Sequence, residues 1–144
     1  MTIQVKKLYS SAILPTQGSA FSAGYDLYAC LAEPVLILPG ETQKIGTGIS
    51  AALPNGTFGA VFARSGLASK QGLRPANCVG VIDSDYRGEF IVALHNDSCE
   101  VRTIHHGDRI AQLVLLPYLQ PDFVTVDELP ETDRGAGGFG STGD

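Results

Sequence analysis

Short β-rich runs between closely spaced turn signals, with no long 3.6-residue periodicity, leave this chain few folds to choose from. Thr2 to Leu8 alternates weakly and reads as a first strand, and Leu14-Pro15 and Gly18-Ser19 mark a loop. Val35-Leu36-Ile37-Leu38 closes on Pro39-Gly40, and Phe58-Gly59-Ala60-Val61-Phe62 follows the turn Pro54-Asn55-Gly56. Turn chemistry recurs at Asp85-Tyr86-Arg87-Gly88, Asn96-Asp97-Ser98 and Gly107-Asp108. The pattern predicts an all-β sandwich or barrel with one short helix at most, over Ser65 to Gln71. Phe123-Val124-Thr125-Val126 is the last strand expected. No internal repeat is present.

At 144 residues the chain forms one domain with room for a core. No run approaches the about 18 apolar residues of a membrane span. Met1 to Lys7 lacks a signal core, so a cytoplasmic location is expected. A net charge of −5 argues against duplex DNA or an anionic membrane as partner, but leaves room for a small polyanion met by focused arginines or a metal ion. Cys30, Cys78 and Cys99 are too widely spaced for a disulfide framework or zinc, and are expected to be small buried or half-buried thiols.

Beyond the polar linker Glu128 to Asp133 lies Arg134-Gly135-Ala136-Gly137-Gly138-Phe139-Gly140-Ser141-Thr142-Gly143. Glycines let backbone amides approach an anion, and arginine, serine and threonine add donors. Gly135 to Gly140 spells G-x-G-x-x-G, but a dinucleotide loop needs a following helix and an acidic residue about 20 positions on, and neither is offered. A flexible tail and a phosphate-gripping arm both remain open.

Four internal stretches place polar groups where a strand protein is usually apolar. In Ala23 to Ala29, Asp26 is the sole carboxylate, facing solvent or holding the water shell of magnesium. In Arg64-Ser65-Gly66-Leu67-Ala68, Ser65 sits where a helix N-cap would be, either an ordinary cap or part of a phosphate site with Arg64 and the Gly66 amide. In Asn77 to Gly88, Asp83 and Asp85 would point the same way in extended chain, about 7 Å apart, unless the acids merely flank a hairpin turn. In Gly107 to Val114, Gln112 interrupts an apolar run, as a satisfied core amide or a ligand contact. The neighbouring His105-His106 would point to opposite faces of a strand, which argues against a shared metal.

These five stretches, in this order, resemble the five motifs of the trimeric deoxyuridine triphosphatase (dUTPase) family. They read AGYDLYA from Ala23, RSGLA from Arg64, GVIDSDYRGE from Gly80, GDRIAQL from Gly107 and RGAGGFGSTG from Arg134, and span nearly the whole chain. One departure is Cys78-Val79 before Gly80, where the family often has a proline. The resemblance implies a jelly-roll-like distorted barrel over residues 1–130, and a mobile glycine-rich arm over 131–144 that closes over an active site. It implies magnesium-dependent hydrolysis of dUTP to dUMP and pyrophosphate by water attack on the α-phosphorus, keeping uracil out of DNA and supplying dUMP for thymidylate synthesis. The site is expected to be shared in a homotrimer: the first, second and fourth motifs from one chain, the third from another, the tail from the last.

By the same resemblance, Asp83 is the general base and Asp26 holds the metal through water. Arg64, Ser65, Gly66 and Gln112 contact phosphates, while Asn77 and the third-motif backbone read uracil. Tyr86 lies against the deoxyribose, Phe139 covers the base beside Gly140, and Arg134, Ser141 and Thr142 hold phosphates. A related dCTP deaminase would need a catalytic glutamate and a serine-rich second motif, where this chain has Asp83 and Arg64-Ser65-Gly66. A non-catalytic binding module would show a lost base or a truncated tail, and neither is seen.

Overall fold

A computed structural model of the chain describes residues 1–138. Twelve short strands and one helix follow in chain order: β1 (Gln4–Lys7), β2 (Thr16–Gln17), β3 (Tyr25–Tyr28), β4 (Val35–Ile37), β5 (Thr42–Gly46), β6 (Ile49–Ala52), β7 (Thr57–Phe62), α1 (Ser65–Gln71), β8 (Leu73–Pro75), β9 (Val79–Ile82), β10 (Ile91–Asn96), β11 (Arg102–Ile104) and β12 (Arg109–Pro117). The expected jelly-roll-like all-β architecture is present, and the helix occupies the span its sequence predicted. Among the described residues the ladders remain four separate sheets, and no barrel closes: β1-β6, β5-β10-β8, β11-β4 and β2-β3-β12-β7-β9.

Period-two burial explains why these runs are strands. In β10, Val92, Leu94 and Asn96 turn inward while Ile91 is exposed and Ala93 and His95 are half-buried. Inward residues meet Leu27, Ile37, Ile45, Ile49, Phe90 and Ile110 in a single core. Each large aliphatic or aromatic side chain buried there contributes about 1.5–3 kcal/mol. Asn96 is fully buried, yet its side chain is satisfied. Nδ2 donates to the carbonyls of Ile37 and Glu100 at 2.9 and 2.8 Å, and Oδ1 accepts from the Ser98 amide and hydroxyl. The predicted turn at Asn96-Asp97-Ser98 is therefore built around a side chain.

Two expectations fail. Phe123 to Val126 forms no strand: Phe123 is 94% exposed and Val124 80%, and the segment pairs with nothing among the described residues. Cys78 and Cys99 are exposed rather than buried, with only Cys30 half-buried.

Candidate active site

The five-stranded sheet carries most of the polar motif residues, and its register sets their geometry. Asp26, Gln112 and Phe62 stand in one row across β3, β12 and β7. A β-bulge between Arg109 and Ala111 breaks strict alternation on β12, burying Ile110 and Ala111 in succession. Arg109 thereby pairs with Tyr28 and Gln112 with Asp26, so two β12 side chains three positions apart serve the same side of the sheet. Sequence alternation alone would have put them on opposite faces, which is why Arg109 escaped the reading. The sequence signal for it was the charge beside the Gly107-Asp108 turn.

These side chains converge in a cleft of about 710 Å³ lined by Asp26, Arg64, Ser65, Gly66, Arg109 and Gln112. The Asp26 carboxylate is held from both sides: Arg64 Nε donates to Oδ1 at 2.7 Å and Arg109 Nη1 to Oδ2 at 3.2 Å. Its side chain is 13% exposed. Solvent-facing Asp26 is thus excluded in this chain. Lys70 also lines the cleft, so three cations face one carboxylate and an acidic protein presents a locally positive pocket. Gln112 Nε2 donates to the Ala63 carbonyl at 2.9 Å, while its Oε1 occupies the space a Cβ on Gly24 would need. The amide is both satisfied and exposed to the cleft.

Ser65 is not the N-cap. That position belongs to Arg64, in extended conformation with no side-chain capping bond, since a guanidinium has no acceptor to offer the first amides; it donates to Asp26 instead. The first intrahelical bond runs from the Ala68 amide to the Arg64 carbonyl, which leaves the Ser65 and Gly66 amides ahead of the ladder, on exposed residues.

The third motif lies elsewhere. β9 pairs with β7 on the far side from β12, and Val79 opposes Phe62. Asp83, one residue past β9, therefore sits roughly 14 Å across and about 13 Å along the sheet from Asp26, close to 19 Å on the diagonal. The extended reading of Asp83 and Asp85 does not hold. The Tyr86 amide donates to the Asp83 carbonyl at 3.1 Å, so Ser84 and Asp85 form the corner of a turn. Asp83 is exposed and borders a cleft of about 190 Å³ with Tyr86 and Glu89. The Tyr86 ring lies where a Cβ on Gly88 would be.

Before β9, Cys78 adopts φ +61°, and the Val79 amide donates to the Asn77 carbonyl at 2.6 Å. This is the strained form of the γ-turn, in the segment where the sequence departs from the family pattern. Asn77 is exposed at this corner, its Nδ2 beside Gly80. Nearby, the hydrogen bonds that Arg74 donates to the Asp97 carboxylate raise its guanidinium above its ordinary value, so it stays charged.

Arg134 sits in a self-contained turn, its Nε donating to the Gly137 carbonyl at 2.9 Å. Phe139, Gly140, Ser141 and Thr142 lie outside the described residues. Among the described residues no group of three or more His, Cys, Asp or Glu could cage a metal, and His106 instead accepts the Leu31 amide through Nδ1. No helix among them is long and apolar enough to cross a membrane.

A family model described as dUTPase matches residues 10–143. A deoxyuridine 5'-triphosphate nucleotidohydrolase of Desulfitobacterium hafniense is 54% identical over 131 residues, 90% of this chain and 87% of that protein. The protein of the same name from Syntrophotalea carbinolica is 48% identical over 143 residues, 99% of this chain and 97% of that one. Among solved structures, the dUTPase of Staphylococcus bacteriophage 80alpha with dUPNHPP superposes with a TM-score of 0.88 at 32% identity, covering 99% of both chains. A mutant dUTPase from phage phi11 of S. aureus, described as revealing the coordination of a structural Mg(II) ion, superposes at 0.80 with 28% identity, covering 89% of this chain and 98% of that one.

Proposed function

From the premise that this chain belongs to the dUTPase family, we propose that it hydrolyses dUTP to dUMP and pyrophosphate by water attack on the α-phosphorus, at sites shared between the chains of a homotrimer. The observation that carries this reading is the division of the motifs. Asp26, Arg64, Ser65, Gly66, Arg109 and Gln112 share one cleft, while Asp83 and Tyr86 stand on the loop that follows β9, the strand at the other edge of the same sheet. The separation of roughly 19 Å supports reading the two groups as halves of sites completed by different chains.

In the complete site the cationic cleft receives the triphosphate, with Arg64, Gln112 and the Ser65 and Gly66 amides as donors. Asp83, exposed just past β9, takes a proton from the attacking water. Asn77 and the third-motif backbone read the uracil edge, and Tyr86 packs on the deoxyribose where a 2′-hydroxyl would collide. Cytosine reverses donor and acceptor at two edge positions, leaving groups unpaired at about 1–3 kcal/mol each.

The donor set fits magnesium carried in by the phosphates rather than caged by protein: Asp26 is the one carboxylate of the cleft and would touch the ion's water shell. When bound, that ion neutralises charge developing on the phosphates. The arm over 131–144 brings Arg134, Phe139, Gly140, Ser141 and Thr142 over the nucleotide of another chain. Exposed Leu119, Phe123 and Leu129 on the segment leading to it support association between chains. A cytoplasmic location accords with deoxynucleotide substrates.

Pyrophosphate release from dUTP with magnesium tests the activity, and sedimentation tests the trimer. No turnover in that assay would remove the enzyme reading.

A further inference from the structure

The loop between β9 and β10 that bears Asp83 and Tyr86 is largely exposed, yet its C-terminal root is fastened to the corner between β5 and β6. The Thr47 amide and hydroxyl both donate to the Phe90 carbonyl, at 3.1 and 2.6 Å, and the Phe90 amide donates to the Ile49 carbonyl at 2.9 Å. Beside them the Gly48 amide donates to Glu89 Oε1 at 2.7 Å. The Glu89 carboxylate lies over Gly46, in space that a Cβ there would fill. The corner itself cannot drift. Thr47 is buried, and Gly48 has φ +69° with Cys30 and Ala12 closing the space around it.

Glu89 also faces the other way. The Tyr86 hydroxyl donates to the Glu89 carbonyl at 3.1 Å, which folds the ring back over Gly88. One residue therefore joins the tyrosine ring to a rigid corner of the core, through its carbonyl on one side and its carboxylate on the other. The other ties within this loop, from the Tyr86 amide to the Asp83 carbonyl and from Arg87 to the Ser84 and Tyr86 carbonyls, are local and do not reach the core.

We infer that Glu89 is a positioning residue for substrate selection: by fixing the Tyr86 ring against the β5–β6 corner it sets how strictly the site refuses a 2′-hydroxyl. The inference rests on the dUTP reading above and adds a residue that contacts no substrate. A ring held at one distance excludes a ribose sterically. A ring free to tilt admits it, at little cost to the deoxy substrate.

The test measures kcat/KM for dUTP and UTP in wild type, Glu89→Ala, Glu89→Gln and Tyr86→Phe, with circular dichroism and melting to verify folding. Glu89→Ala should narrow the dUTP-to-UTP preference about ten-fold, the size expected from losing a hydrogen bond to a charged acceptor. Glu89→Gln, whose amide oxygen can still accept the Gly48 amide, should restore most of the preference. Tyr86→Phe, cut from the Glu89 carbonyl, should narrow it in the same direction, and carries the test if Glu89→Ala does not fold. A purely structural role would lower both substrates in parallel together with the melting temperature. That outcome, or an unchanged ratio in a folded Glu89→Ala or in Tyr86→Phe, overturns the inference while the dUTP reading stands. A wild type that does not turn over dUTP removes the reading itself.

Discussion

Arg109 reaches Asp26 at 3.2 Å although the two are not ladder partners, because the bulge on β12 swings it alongside Gln112, which is Asp26's partner. With Arg64 at 2.7 Å on the other oxygen, the carboxylate is a shared anchor for two guanidinium groups. Asp26→Ala should leave both without their acceptor and lower stability by about 1–3 kcal/mol, measured by chemical denaturation. Arg109→Ala keeps the Arg64 pair and should lower stability less, while raising KM for dUTP. Equal stability loss in the two variants would contradict this division of labour.

Asp83→Asn should still bind a non-hydrolysable dUTP analogue with near-normal affinity but turn over about 10²–10⁴-fold more slowly, the range expected for a lost general base. Calorimetry gives the first quantity and pyrophosphate release the second. Activity near wild type would remove Asp83 from the chemistry.

Gly88→Ala places a methyl group in the volume held by the Tyr86 ring. The ring must move, so dUTP turnover should fall while the melting temperature shifts by no more than a few degrees, since residues 83–89 lie outside the core. A variant with full activity would show that Tyr86 takes up a different position when substrate binds.

Deleting residues 134–144 removes a segment whose described portion bonds only within its own turn. The protein should remain folded and oligomeric but nearly inactive. Mixing it with Asp83→Asn chains should recover part of the activity, because one mixed trimer can hold an intact base and an intact arm in the same site. Verified mixed trimers with no recovery would rule out sharing.

Phe123→Asp, at a residue 94% exposed on the single chain, should weaken the assembly in sedimentation without unfolding the barrel-like body. An unchanged sedimentation coefficient would place the interface elsewhere.

Local chemistry was readable from the residues and longer-range geometry was not. The helix over Ser65–Gln71 and the turn at Asn96 follow from short-range signals that act within a few residues. A local side-chain preference points to Ser65 as N-cap, whereas the backbone starts the helix one residue earlier, with the Arg64 carbonyl taking the first bond from the Ala68 amide. Arg109 was missed because a bulge shifts facing without changing composition. Phe123 to Val126 reads as a strand from its aromatic and β-branched residues, but such local preference supplies no ladder partner, and the segment has none among the described residues. The gap between Asp26 and Asp83 needed the strand order, with β12 and β7 lying between β3 and β9.

On the proposed reading, that gap also governs when the chemistry can start. If sites form only between chains, a newly made chain is chemically silent, carrying both halves of a hydrolase that cannot act on anything. Working sites then increase with a steep power of chain concentration at high dilution, and activity per chain becomes a measure of the protein's own abundance. Assays at nanomolar protein would fall below proportionality, and adding back catalytically dead chains with sound clefts would raise rather than dilute the rate.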